Sequence, residues 1–126
     1  MAKLTQLVHE LLGLHLTKSQ KDAFDYYATE LKRWNQNINL TRILDSQDIL
    51  VQHFLDSLSC LLPIHKRSDK HVTIQLVDVG SGAGFPGIPM AITSSNIDIT
   101  LVESTEKKCA FMNQIITNLK LSNVRV

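Results

Sequence analysis

The sequence predicts an α/β fold in which a parallel sheet, started by residues 73–126, follows a helical extension formed by residues 1–72. Three observations predict it. Apolar residues recur at helical spacing through the first half of the chain. An apolar, β-branched run from Thr73 to Val79 enters a turn that holds four of the chain's five glycines. After that turn, helix and strand patterns alternate, which is typical of a parallel sheet.

Length and composition limit the possible functions. The chain has 126 residues, 44% of them hydrophobic, which fits one globular domain or a domain with an appendage. Its net charge of +1 gives no global basic signature, so any contact with nucleic acid must come from a local patch. No apolar run approaches the length of a membrane span, and the first residues do not resemble a signal peptide. We therefore expect a cytoplasmic protein in which Cys60 and Cys109 are reduced.

Two helices are predicted at the start of the chain. Apolar residues at positions 4, 7, 8, 11 and 12 predict a first helix over Leu4–Leu14, which Gly13 would end. Thr17-x-x-Gln20 resembles a capping box and predicts the start of a second helix. The expected buried face of that helix consists of Phe24, Tyr27, Ala28, Leu31 and Trp34. Trp34 is interpreted as a core anchor rather than as a base-stacking residue.

The opposite face of the second helix is basic, with Lys18, Lys21, Lys32 and Arg33. Such a face is most often solvated surface, but it could also contact RNA, and the sequence leaves both interpretations open. The asparagine-rich stretch that follows, residues 35–41, predicts a turn because asparagine tolerates left-handed backbone.

A third helix is predicted from Asp45 or Ser46 to Leu62, and Pro63 is expected to end it. Its apolar stripe consists of Leu50, Phe54, Leu58 and Leu61, widened by Val51, Leu55 and Leu62. His53 and Asp56 lie three residues apart and share a face, which favours a hydrogen bond between them over a metal site or a contact with substrate. The polar, basic stretch Ile64–His71 is predicted to be a surface linker.

The second half of the chain predicts the first units of a parallel sheet. Strands are expected over Thr73–Val79 and Ile97–Glu103, with a helix from Pro86 to Thr93 between them. Ser104 or Thr105 would cap the next helix, whose buried stripe is Cys109, Met112, Ile115, Ile116 and Leu119, and a third strand would start at Asn123. Because the sequence stops there, we expect a sheet that is cut short and a cofactor pocket that lacks one wall.

The glycine turn fits two ligand-binding patterns. Gly82-x-Gly84-x-x-Gly87 matches the dinucleotide fingerprint of nicotinamide-dependent oxidoreductases. The frame Asp78-x-Gly80-x-Gly82-x-Gly84 matches the first motif of methyltransferases that use S-adenosylmethionine. A pyrophosphate needs free N–H groups at the start of the helix, and proline lacks this donor at positions 86 and 89. S-adenosylmethionine carries no phosphate, so the prolines favour the methyltransferase pattern.

Glu103 is the candidate ligand for a ribose. It ends the second predicted strand, where an acidic residue of a doubly wound fold accepts hydrogen bonds from the sugar hydroxyls. Two vicinal hydroxyls can both donate to one carboxylate. By itself Glu103 would be interpreted as a surface residue, but next to the glycine turn it favours nucleoside binding.

The motifs together resemble one family, the bacterial 16S rRNA guanine-N7 methyltransferases, also called glucose-inhibited division protein B. The matching residues are Trp34-Asn35, Asn39-Leu40-Thr41, His53-Phe-Leu-Asp56-Ser-Leu58, and the run from Asp78 to Pro89 with its glycines. They occur in the family's order and spacing over nearly the whole chain. The family's usual Leu-Asp-Ser at the end of the second strand is replaced by Val102-Glu103-Ser104.

This resemblance implies a Rossmann-like S-adenosylmethionine-dependent methyltransferase fold and methyl transfer to N7 of a guanine in 16S rRNA. Because this nitrogen has a free lone pair, no catalytic acid or base is expected. The implied cofactor pocket consists of Asp78, Gly80, Gly82, Gly84, Phe85, Glu103 and Ser104. The implied RNA contacts are Lys32, Arg33 and Arg42, and the implied partner is the small ribosomal subunit or an assembly intermediate, bound by a monomer. A nicotinamide-dependent oxidoreductase and a non-catalytic RNA-binding module remain the alternatives.

Overall fold

The computed structural model describes residues 2–42, 45–67 and 71–126. The helical extension consists of α1 (Ala2–Leu12), α2 (Lys18–Asn35), α3 (Ser46–Asp48), a π-helical segment (Ile49–Leu55), α4 (Asp56–Ser59) and α5 (Leu61–Arg67). The sheet part consists of β1 (Ile74–Val79), α6 (Gly87–Thr93), β2 (Ile97–Val102), α7 (Glu106–Leu119) and β3 (Val124–Arg125). The predicted α/β fold class is therefore confirmed.

The first two helices form where the sequence predicts them, although α1 begins at Ala2 rather than at Leu4. Gly13 follows α1 with a φ of +67°, a left-handed conformation that glycine adopts without strain. At the start of α2, the Thr17 hydroxyl accepts the Gln20 N–H while the Gln20 side chain accepts the Thr17 N–H, so the capping box is formed. Leu4 and Val8 are the α1 side chains that enter the core, whereas Leu11 is 63% exposed.

The third predicted helix differs from the expectation in two ways. Residues Ile49–Leu55 form a π-helix, whose wider turn changes which side chains share a face. Phe54, Leu58 and Leu61 are buried as predicted, but Val51 and Leu62 are exposed, and the Leu50 side chain lies outside the described residues. These two exposed residues therefore do not widen the apolar stripe.

Pro63 does not end a helix, so that prediction was wrong. It lies in the first turn of α5, where a missing N–H costs nothing because no carbonyl precedes it in the helix. The predicted linker is therefore helical as far as Arg67. Residues 68–70 of that linker, and the Arg67 side chain, lie outside the described residues.

Among the described residues the sheet has three parallel strands in the order β1-β2-β3. The β1–β2 register runs from Ile74 opposite Ile97 to Val79 opposite Val102, and Ile99 pairs with Val124. Side chains alternate between the two faces. Ile97, Ile99 and Leu101 are buried beneath the helices, whereas the opposite face carries Val77, Val79 and Val102, which are 46–77% exposed.

One buried cluster joins the helical extension to the sheet. The extension contributes Phe24, Tyr27 and Phe54, and the sheet part contributes Ile88, Phe111 and others. Tyr27 and Phe54 lie 5.3 Å apart by ring centroids, and α2 packs against both α6 and α7. The division of the chain at residue 72 stays a prediction, since the two parts share their core.

Candidate functional site

The glycine turn between β1 and α6 follows the carboxyl end of β1. Gly80, Gly82 and Gly84 have φ values of +73°, +59° and +104°, which explains the need for glycine at each position. The N–H groups of Gly80 and Ser81 donate to the Val102 carbonyl at 2.8 and 3.2 Å. The turn is thereby fastened to the end of β2, the neighbouring strand.

The glycines fall into an outward pair and an inward pair. A Cβ built on Gly80 or Gly82 meets nothing within 4 Å, so these two residues present bare backbone to an open surface. A Cβ on Gly84 would lie 2.6 Å from both the Ile88 side chain and the Tyr27 hydroxyl, and one on Gly87 would lie 2.4 Å from Leu101. The inward pair therefore serves packing, and the outward pair is available to a ligand.

The hydrogen bonds of the turn argue against a bound pyrophosphate. The Gly87 N–H donates to Asp78 Oδ2 at 3.1 Å, and the Ile88 N–H donates to the Gly84 carbonyl at 2.8 Å. The first turn of α6 thus already faces a carboxylate, and Pro86 and Pro89 offer no donor. A dinucleotide phosphate would need the donors that these groups occupy.

Asp78 is half-buried at the end of β1. Burial raises the pKa of its carboxyl group, while the hydrogen bonds from Gly87 and Ser81 oppose that shift. Together with Cys60, Met90 and other residues, Asp78 lines a cavity of about 230 Å³ beside β1. Its contact with Gly87 holds the start of α6 against the strand, and a role beside the cofactor stays a prediction.

Glu103 lies against the glycine turn, where the predicted ribose ligand has to be. Its Oε1 accepts the Gly82 N–H at 2.8 Å, and its Oε2 accepts the Thr105 N–H at 2.9 Å. The bonds from Thr105 and Gly82 lower the pKa of this carboxyl group, so it is ionised at neutral pH. Because each carboxylate oxygen accepts more than one hydrogen bond, both keep capacity for a sugar hydroxyl.

The cap of α7 was predicted only in part. Thr105 is the N-cap residue, but its side chain makes no capping hydrogen bond, and the Glu103 carboxylate accepts the Thr105 N–H instead. One carboxylate therefore connects the glycine turn to the helix that follows β2. Ser104, the other predicted pocket residue between them, is exposed.

Phe85 is held between two rings of the helical extension. Its ring stacks on His53 at 4.3 Å and on Tyr27 at 5.4 Å, with interplanar angles of 2° and 3°. The Tyr27 hydroxyl donates to the Ala83 carbonyl at 2.6 Å. Sequence reasoning placed Tyr27 in the core and missed this contact, because no local pattern joins residues so far apart in the chain.

Replacing Tyr27 with phenylalanine is expected to lower the free energy of unfolding by about 1–3 kcal/mol, because the Ala83 carbonyl loses its buried donor. Urea denaturation measures the change. Tyr26→Phe is the matched control, since the Tyr26 hydroxyl contacts Asn118 and Gln114 at a half-exposed position and its loss costs less. Equal losses in the two variants would contradict the role given to the Tyr27 hydroxyl.

His53 connects Phe85 to the turn after α2. Its Nε2 lies 2.8 Å from the Thr41 hydroxyl, and Asn35 Oδ1 accepts the N–H groups of Leu40 and Thr41 at 2.8 and 2.9 Å. The expected hydrogen bond between His53 and Asp56 was wrong: Asp56 is exposed and affects His53 only through its charge. The predicted turn at residues 35–41 is confirmed.

Burial lowers the pKa of His53, and the Asp56 charge partly opposes this shift. The unfolded chain therefore takes up this proton at a higher pH than the folded chain does. Consequently, stability is full above the unfolded pKa near 6.5 and falls as the pH drops through it. We expect His53→Gln to lose less stability than the unaltered chain between pH 7.5 and pH 5.5, as measured by urea denaturation. A parallel loss in both proteins would refute this prediction.

The three predicted RNA contacts lie in different surroundings. Arg33 is exposed and forms a bidentate ion pair with Glu30, the shortest N–O distance being 2.6 Å. Lys32 is partly buried beside it on α2, and Arg42 is exposed just after Thr41. Trp34 packs edge-on against Phe111 with ring centroids 5.5 Å apart, so its interpretation as a core anchor is supported. An RNA role for the three cations stays a prediction.

Other kinds of site find little support among the described residues. Cys60 and Cys109 are free thiols, half-buried and not joined to each other. No group of three or more His, Cys, Asp or Glu side chains in ranges 2–42, 45–67 and 71–126 is placed to hold a metal ion. Over the same ranges, no helix combines the length and apolar character needed to cross a membrane.

Comparison with known proteins places these features in context. A family model described as rRNA small subunit methyltransferase G matches residues 20–126. A protein of that name from Clostridium beijerinckii is 41% identical over 115 residues, covering 91% of this chain and 46% of the relative. Another from Roseiflexus castenholzii is 45% identical over 114 residues, covering 90% and 47%. This chain therefore spans about half the length of these relatives. A crystal structure of a SAM-dependent methyltransferase from Aquifex aeolicus is 19% identical, with a TM-score of 0.46, over 79% of this chain and 45% of that one.

Proposed function

The chain belongs to the family described as rRNA small subunit methyltransferase G, and from that premise we propose that it takes part in methyl transfer from S-adenosylmethionine to N7 of a guanine in 16S rRNA. The observation that carries the proposal is the contact between Glu103 and the Gly82 N–H at 2.8 Å. It combines exposed glycine backbone with an ionised carboxylate on the neighbouring strand, as nucleoside binding requires.

The residues of the turn fit S-adenosylmethionine. Gly80 and Gly82 leave open space for an adenosine group along the backbone, because a side chain there would point into it. Each carboxylate oxygen of Glu103 accepts one backbone N–H, from Gly82 or Thr105, and can accept a ribose hydroxyl as well. Ser104 lies next to Glu103 at the carboxyl end of β2. Phe85, fixed by its two stacked neighbours, and the pair Asp78 and Gly84 set the shape of the turn.

This chain's residues position the reactants rather than move protons. When bound, S-adenosylmethionine supplies a methyl group made electrophilic by its sulfonium. Guanine N7 offers a lone pair without a proton, so no side chain needs to act as a general base. Holding the two reactants in line accounts for about 7–11 kcal/mol in favourable cases. We therefore assign no catalytic acid or base to this chain.

Two measurements test the proposal. Calorimetry of this chain should give saturable binding of S-adenosylmethionine and S-adenosylhomocysteine and none of NADH. Incubation with labelled S-adenosylmethionine and small ribosomal subunits should then place label in 16S rRNA, at a site that borohydride and aniline cleave as N7-methylguanine. Tight NADH binding would favour the oxidoreductase. Salt-sensitive RNA binding without any cofactor binding would favour the non-catalytic RNA-binding module.

The proposed partner is the small ribosomal subunit or one of its assembly intermediates, and the proposed location is the cytoplasm, where these particles occur. We propose that the chain acts as a monomer, which sedimentation equilibrium tests. Purified 16S rRNA, assembled subunits and immature particles, supplied separately as methyl acceptors, distinguish the forms of the substrate.

A further inference from the structure

An open groove lies where the end of α2 meets the start of α7. Its volume is about 520 Å³, and Arg33, Trp34, Gln36, Asn37 and Lys107 are among its lining residues. Two cations, two amides and an indole thus face one concave surface. A small number of contacts hold the side chains that line this groove in place.

Arg33 is held in position by the Glu30 carboxylate, which Gln114 in turn holds. Both oxygens of Glu30 accept from Arg33 at 2.6–3.2 Å, and Glu30 Oε2 also accepts from Gln114 Nε2 at 2.6 Å. The Arg33 Nη1 atom takes no part in these bonds and can donate to a second partner. An arginine fixed in this way loses little conformational freedom when it binds an anion.

Gln114 also fixes the indole of the groove. Its Oε1 accepts the Trp34 Nε1–H at 3.1 Å, while Phe111 supports the ring from the core side. Next to it, the exposed amides of Gln36 and Asn37 belong to the turn that Asn35 holds through its two backbone hydrogen bonds. Amides beside an aromatic ring suit an unpaired base, which can stack and form hydrogen bonds along its edges.

Lys107 lies on the opposite wall, in the first turn of α7. It is exposed, and within the part of the chain that the structure describes no ion pair occupies it. Lys107 follows Glu103 by four positions in the sequence, so this wall of the groove and the proposed ribose ligand are neighbours along the chain. Glu30 offsets part of the Arg33 charge, which leaves Lys107 as the main attraction for a phosphate.

We propose that this α2–α7 groove binds a single-stranded segment of the substrate RNA, with Lys107 and Arg33 contacting phosphates from opposite walls. Trp34 is anchored on its core side by Phe111, and the side of its ring that lines the groove packs against a base in addition to that anchoring role. The inference rests on the proposed function, because the substrate is taken to be RNA. It differs from the expected use of the whole basic face of α2. Lys18, at the far end of that helix, bonds Asp22 at 3.1 Å and lies outside the groove.

The test compares two lysine variants of this 126-residue chain. Lys107→Gln and Lys18→Gln remove the same charge, and positions 18 and 33 lie about 22 Å apart along α2. Filter binding with an unstructured single-stranded RNA is measured over a series of salt concentrations. Lys107→Gln should raise the Kd about fivefold and reduce the slope of log K against log salt by about 0.7, the value for one lost phosphate contact in a single strand. Lys18→Gln should change neither.

Each other outcome overturns the inference. Equal losses in the two variants would assign RNA binding to the general charge of α2, and an unchanged Lys107→Gln variant would place RNA elsewhere. If a polyglutamate peptide bound the groove as tightly as RNA at the same salt, the groove would select any polyanion. Calorimetry of S-adenosylmethionine on the unaltered chain reports the proposed function separately, so the two can fail independently.

Discussion

Replacing Glu103 with alanine is expected to weaken binding of S-adenosylmethionine by at least about a hundredfold. Its carboxylate is ionised and lies 2.8 Å from the Gly82 nitrogen, so in our proposal it accepts two charge-assisted hydrogen bonds from the ribose. Such bonds contribute roughly 1.5–3 kcal/mol each, and about 1.4 kcal/mol corresponds to a factor of ten in affinity. Titration calorimetry on the two proteins measures the difference.

The matched control is Glu106→Ala. Glu106 is an exposed acidic residue three positions further along, in the first turn of α7, and it has no part in the hydrogen bond between Glu103 and the glycine turn. It should leave the affinity within about twofold, since it alters only a weak interaction with the helix dipole. Circular dichroism of both variants verifies folding. A Glu103→Ala protein that is folded and binds the cofactor as tightly as the control would refute the ribose assignment.

Replacing Gly84 with alanine is expected to destabilise the fold by about 2–5 kcal/mol. Its φ of +104° disfavours any side chain, and the added Cβ would lie 2.6 Å from Ile88 and from the Tyr27 hydroxyl. A left-handed backbone costs about 1–2 kcal/mol for a residue other than glycine, and overpacking a core adds about 1–3 kcal/mol. Urea denaturation at neutral pH gives the free energy of unfolding.

Gly13→Ala separates the two contributions. Gly13 also has a positive φ, +67°, but a Cβ there meets nothing within 4 Å. Only the backbone cost of about 1–2 kcal/mol should remain. If both variants lost the same stability, close packing around the inward side of the turn would not be what requires glycine at position 84.

The sequence predicted the parts of this fold that depend on local patterns. The capping box at Thr17, the left-handed glycine after α1 and the positions of the three strands are all decided by residues near one another. The closeness of Glu103 to the glycine turn was also predictable, because the carboxyl ends of adjacent parallel strands meet at one edge of a sheet.

Features that depend on tertiary packing were missed. The stack of Phe85 between Tyr27 and His53 brings three distant parts of the chain together, and no periodicity marks it. Gln114 has the same character: it bonds Glu30 and Trp34 across two helices, yet an amide in a helix is usually solvated. The role of Pro63 was predicted wrongly because proline is common both just after a helix and in the first turn of the next one. The residues around it do not distinguish the two positions.

The position of Trp34 has a practical consequence. It is the chain's single tryptophan, it lines the α2–α7 groove, and its indole nitrogen bonds Gln114. Its fluorescence is therefore a built-in reporter of one surface of the molecule, with no label required. Emission intensity will follow occupation of the groove, and a titration with single-stranded RNA can therefore be read directly from the unaltered chain.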